Sequence, residues 1–139
     1  MISLEDYLGQ HGAGHEEELT NAMRANADVI VERANAMLAD FGEDRALRSG
    51  WRPQSVNDAT PNAARTSRHI SCQGIDIADD DGRLKAWITP ELLERLGLYM
   101  EFGKATPTWV HVQCVAPGSG KRIFFPNATW AARAQNGTA

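Results

Sequence analysis

The chain has 139 residues, 42% of them hydrophobic and 23% charged, with a formal net charge of −4. This supports one domain, residues 1–139, with a core of its own, and the acidic balance supplies no basic field for nucleic acid. No apolar run approaches the roughly 20 residues of a membrane helix, so membrane insertion is not expected.

Residues 3–10 read as a short helix or an extended arm, broken by His11-Gly12-Ala13-Gly14, so that residues 1–14 form an N-terminal arm. The opening residues lack a basic n-region and an apolar h-region, so synthesis in the cytoplasm without a signal peptide is expected. From His15 to Phe41 apolar residues recur at three- and four-residue steps, predicting a long core-packing helix. Glu16, Glu17 and Glu18 stand at its start and Gly42 at its stop.

Ala46 to Trp51 reads as a short strand, and the polar stretch from Pro53 to Arg68 as an irregular loop of functional length. Gly74 to Ala78 is a strand candidate that sets Asp76 on the face opposite Ile75 and Ile77. The two cysteines, Cys72 and Cys114, are too few to staple a secreted mini-domain and are expected as buried free thiols, with one disulfide as the alternative. Asp79-Asp80-Asp81-Gly82 makes a turn. Thr89 to Gly97 is a capped helix, with Thr89 as N-cap, Pro90 first and Gly97 past the end. Leu98–Phe102 and Trp109–Val115 are expected to pair as antiparallel strands. Pro117-Gly118-Ser119-Gly120 is expected as a hairpin turn before a strand at 121–125, and residues 127–139 as a flexible tail.

The chemistry gathers in three places. Ser67-Xaa-His69 is followed after six residues by Asp76, and Trp109-Xaa-His111 comes later. On a strand at 109–113 the side chains of Trp109, His111 and Gln113 share one face, with Val110 and Val112 on the other. Two imidazoles and one carboxylate leave a tetrahedral zinc one open position, the pattern of catalytic rather than structural zinc sites.

Ser49-Gly50-Trp51-Arg52, then Asn57, then the Ser67, His69 and Asp76 spacing, then Trp109-Xaa-His111 resembles the zinc D-Ala-D-Ala carboxypeptidase family, with its phage peptidoglycan endopeptidases and hedgehog-type domains. The resemblance runs from about Leu47 to Pro126 and is nearest to compact phage or prophage members. It implies an α+β fold in which a small antiparallel sheet packs against helices, here with a long N-terminal helix. It also implies a zinc-dependent peptidase hydrolysing D-amino-acid-containing bonds of peptidoglycan stem peptides, as a carboxypeptidase or an endopeptidase. His69, Asp76 and His111 would be the zinc ligands, Arg52 would bind substrate or stabilise the oxyanion, and Ser67 would hydrogen-bond substrate or orient a ligand. Gln113 is a further substrate contact suggested by strand alternation alone.

The chain departs from the family pattern where a general base is expected ahead of the second histidine. Those positions hold Thr108 and Trp109, which cannot take a proton, and Glu101 on the preceding strand is the candidate base instead. Without a signal peptide the protein would reach the wall after release or as a virion component, and a monomer is expected. A non-catalytic zinc-stabilised module, binding wall peptides or serving in a virion, is the alternative. Gly118-Ser119-Gly120-Lys121 lacks the spacing of a phosphate-binding loop, and the acidic turn lacks that of a calcium loop.

Overall fold

The computed structural model describes residues 1–64 and 66–136. Among these residues it is a mixed α/β fold: a five-stranded, mostly antiparallel sheet with six helices, one of them long and near the N-terminus. The strands are β1 (Leu47–Ser49), β2 (Gly74–Ala78), β3 (Tyr99–Glu101), β4 (Trp109–Gln113) and β5 (Ile123–Phe124). Their order across the sheet is β1-β2-β4-β3-β5.

Alternation divides the sheet into two chemistries. Ile75 and Ile77 of β2, Met100 of β3 and Val110 and Val112 of β4 are buried in the core. The long helix α2 (Asn21–Phe41) supplies Ala27, Ile30, Val31, Ala34, Met37 and Leu38 to the same cluster. Each fully buried aliphatic side chain contributes about 1.5–3 kcal/mol, so this seam dominates the stability of the sheet.

The opposite face carries polar groups in line. Ser49 pairs with Asp76, Asp76 with His111, and Glu101 with Phe124. The antiparallel register of β3 on β4, Tyr99 with Gln113 and Met100 with Val112, sets Glu101 level with His111. Ser49, Asp76, His111, Glu101 and Phe124 therefore form one transverse row through all five strands. A bulge between Leu47 and Ser49 brings Ser49 into that row.

Several expectations are corrected. The long helix starts at Asn21 rather than His15, because Thr20 Oγ1 accepts from the Met23 amide and caps it there. Glu16–Glu18 form a separate 3₁₀ turn, so they do not sit in the first turn of α2. The polar loop contains a short helix, α3 (Gln54–Asp58). A further helix, α4 (Arg83–Trp87), follows the acidic turn, capped by the buried Asp79 carboxylate accepting from the amides of Leu84 and Lys85. The expected helix at 89–97 is α5 (Pro90–Leu96), with Thr89 and Gly97 as its caps.

The Pro117–Gly120 turn does not make a hairpin. β5 passes over to pair in parallel with β3, where Arg122 O and Phe124 O accept from the amides of Met100 and Phe102. Where a flexible tail was expected, α6 (Ala128–Gln135) forms behind an Asn127 cap. Residues 137–139 of that tail, like Arg65 of the polar loop, lie outside the described residues.

The N-terminal residues are tied into the body rather than extended as an arm. Helix α1 (Leu4–Gly9) is capped by Ser3, and the backbone of Ile2 exchanges two hydrogen bonds with the Asn35 side chain. The buried Tyr7 donates its hydroxyl to Gly74 O at 2.7 Å, and its carbonyl accepts from Trp51 N. Gln10 clasps β1, donating to Arg48 O and accepting from Gly50 N. Both cysteines are free, Cys72 fully buried. No helix among the described residues is long and apolar enough to cross a membrane.

Candidate metal centre

The cross-strand pair Asp76–His111 is fixed by the β2–β4 ladder. His69 arrives from the turn before β2, where its amide donates to Ser67 Oγ and its carbonyl accepts from Arg52 N. His69 Nε2 lies 3.2 Å from Asp76 Oδ1, and His111 Nδ1 lies 2.8 Å from the same oxygen. A tetrahedral ion with bonds of about 2.0 Å sets neighbouring ligand atoms about 3.3 Å apart; the His69–Asp76 pair stands at that distance, and the His111–Asp76 pair, in hydrogen-bond contact, would widen by about half an ångström to admit one. His69, Asp76 and His111 form a largely buried group that can hold a metal ion.

The outer hydrogen bonds decide which nitrogens are free. His69 Nδ1 is 2.9 Å from Gly50 O, and a carbonyl can only accept, so Nδ1 carries the proton. Gln113 donates its amide to Val115 O at 2.8 Å, which leaves Oε1 facing His111 Nε2 at 2.9 Å, so Nε2 carries the proton there. In the neutral tautomers the lone pairs of His69 Nε2 and His111 Nδ1 then point at a carboxylate oxygen. Three electron donors converge on one point, and such an arrangement needs a cation or additional protons to hold it. Histidine ligands with the second nitrogen donated to a carbonyl are the usual construction of metal centres.

The pKa shifts of the metal-free group follow from the same contacts. Burial alone would raise the Asp76 carboxyl, but His69 and His111 outweigh it and hold the group well below the ordinary carboxylate range. Burial would likewise lower His111, and the Asp76 carboxylate more than offsets this, so its pKa is raised. Glu101 is raised by burial, partly opposed by His111.

These residues line an open cleft of about 470 Å³ together with Arg52, Ser67, Arg68, Trp109, Gln113 and Phe124. The larger hollow of about 640 Å³ lies at Met1, Arg45 and Leu47, away from this chemistry. Arg52 reaches the cleft through two neutral acceptors, Asn57 Oδ1 at 3.1 Å and Ser49 Oγ at 3.4 Å. It has no carboxylate partner among the described residues, which leaves its charge available to a ligand. Asn57 is buried and held in turn by Ala64 O.

The sequence-predicted residues thus meet in one place, with one difference of role, at Gln113. Gln113 is buried and both ends of its amide are engaged, so it orients His111 rather than offering a free group to substrate. Ser67 lines the cleft but also accepts from the His69 amide, shaping the turn that delivers the histidine. Asp79 and Asp81 of the acidic turn belong to an ion-pair network with Arg45, Lys85 and Arg83 outside the cleft. Sequence reasoning missed the Gly50 carbonyl, which carries no side-chain signal, and the contact of His11 Nε2 with Ser49 Oγ at 3.3 Å.

A second cluster among the described residues, His15 with Glu17 and Glu18, is partly exposed, and Glu18 is occupied by the hydroxyl and amide of Ser55 at the start of α3. No family model, curated protein or solved structure matches the chain.

Proposed function

We propose that the chain is a zinc-dependent peptidase that hydrolyses D-amino-acid-containing peptide bonds of bacterial peptidoglycan. The observation that carries this reading is the convergence of His69 Nε2, His111 Nδ1 and Asp76 Oδ1 in an open cleft whose walls hold an acid and an uncommitted cation. The substrate class rests on the resemblance of the Ser49–Arg52, Ser67–Asp76 and Trp109–His111 segments to D-Ala-D-Ala peptidases. A donor set of two imidazoles and a carboxylate favours zinc over oxygen-preferring cations.

Zinc held by His69, Asp76 and His111 would supply a Lewis acid that activates water and polarises the scissile carbonyl. Glu101, level with His111 and raised in pKa by burial, takes the proton from the attacking water and returns it to the leaving amine. Arg52, held by Asn57 and Ser49, stabilises the developing oxyanion. Ser67, in the cleft wall, would hydrogen-bond substrate through the same hydroxyl that holds the His69 turn.

The test is zinc-loaded protein incubated with purified peptidoglycan and with a peptide ending in D-Ala-D-Ala, followed by analysis of new termini. Release of termini is expected, and Glu101→Gln should retain zinc while losing about a hundredfold or more in kcat. A second reading, a non-catalytic zinc-stabilised module for wall peptides or a virion, is favoured by Thr108 and Trp109 offering no proton acceptor ahead of His111. Full zinc occupancy without new termini would select it.

A further inference from the structure

We propose that His11 is a positioning residue for Arg52, acting through the Ser49 hydroxyl with its imidazole as the neutral acceptor at the end of the chain. The proposal rests on Arg52 being the group that meets the substrate. Its geometry is independent of that reading.

Arg52 Nη2 stands 3.4 Å from Ser49 Oγ, and Ser49 Oγ stands 3.3 Å from His11 Nε2. A guanidinium can only donate, so the serine oxygen accepts from Arg52 and its own hydrogen needs another acceptor. Ser49 is buried, which keeps water from serving freely. His11 Nε2 is the acceptor in reach, so its proton sits on Nδ1. The polarity of the whole chain is thereby fixed: guanidinium to hydroxyl to imidazole.

Protonating His11 breaks this order. A charged imidazole would place a second donor on Ser49 Oγ, leave the serine hydrogen unpaired and bring a cation beside Arg52. The charged and titratable groups acting on His11 are Arg52 and His69, which oppose its charging, and Asp76, which favours it. Burial acts in the same direction as Arg52, and the pKa of His11 is lowered from the ordinary imidazole value. The neutral form is therefore the resting form near neutrality. The clasp of Gln10 on Arg48 and Gly50 holds the segment that carries His11 against β1.

The experiment combines nitrogen-detected NMR of the histidine side chains with kinetics on the full chain. In the wild type near neutral pH, His11 should be the Nδ1–H tautomer, and Ser49→Ala should release that preference. His11→Leu should lower kcat/KM about tenfold, the worth of one well-placed hydrogen bond. His11→Gln, which keeps an acceptor, should recover most of the loss and remove the acid-side fall that His11 contributes to the pH profile. An Nε2–H or mixed tautomer in the wild type overturns the proposal, as does a glutamine variant as impaired as the leucine one. A wild type that binds zinc but cleaves nothing sinks the peptidase reading instead, and the tautomer then decides the role of His11 alone.

Discussion

Gln113 fixes His111: its amide donates to Val115 O, and its Oε1 faces His111 Nε2 at 2.9 Å, turning Nδ1 toward Asp76. Replacing Gln113 with Met keeps the volume and removes the acceptor. Second-layer groups of this kind typically contribute about 10–100-fold to metal affinity. Titration calorimetry with zinc should show a loss of that size for Gln113→Met, with the fold intact. Unchanged affinity would mean that Gln113 has no part in orienting the ligand.

Stability should depend on pH in opposite senses with and without metal. The folded pKa of His111 is raised above its ordinary 6.5, so its contribution is present below that value and lost as pH rises through the folded pKa. Asp76 is depressed, so its contribution is present above the ordinary 3.8 and lost as pH falls toward its folded value. Chelator-treated protein should therefore lose thermal stability from mildly acidic to mildly alkaline pH. Metal competes with those protons, and the rise in Tm on adding zinc should grow over the same range. A zinc-induced shift that is flat with pH would count against this site.

Gly74 is a packing requirement of the centre. A Cβ there would stand 3.0 Å from His111 Cε1 and 3.1 Å from Arg68 Cβ. Gly74→Ala should cost about 1–3 kcal/mol in chemical denaturation and weaken zinc binding. Gly9, with nothing within 4 Å of its added Cβ, is the control, and Gly9→Ala should be neutral or stabilising. Equal effects at the two glycines would contradict the crowding argument.

Cys72 lies between His69 and Asp76 with a φ of +60°, a conformation that disfavours a side chain. Cys72→Ala loses the buried sulfur and keeps the strain, whereas Cys72→Gly removes both. The glycine variant should therefore be the more stable of the two, by about 1 kcal/mol. The reverse order in denaturant midpoints would refute the strain. Burial pushes the Cys72 thiol up to about 12, so it should also resist thiol reagents at neutral pH in the folded protein.

The face of each strand was legible because alternation is a local property: Asp76 against Ile75 and Ile77, His111 against Val110 and Val112. The meeting of His69 with Asp76 and His111 follows from those faces together with the turn that delivers His69. What stayed hidden depends on partners distant in sequence. Helix α4 is too short to show periodicity and owes its start to the Asp79 carboxylate. The parallel pairing of β5 on β3 has no signature in a short strand after a glycine-rich turn. Alternation likewise gave the face of Gln113 but not the two hydrogen bonds that make it an orienting group, and nothing in Gly50 announces its carbonyl as the partner of His69.

The row Ser49, Asp76, His111, Glu101 and Phe124 draws one residue from every strand of the sheet. A slip of one position in any strand would turn its member toward the apolar side. For β2 and β4, which carry Asp76 and His111, strand alignment therefore decides whether the two side chains face each other at all. Uptake of an ion by His69, Asp76 and His111 would thus report on the β2–β4 alignment, a property set along the whole length of both strands.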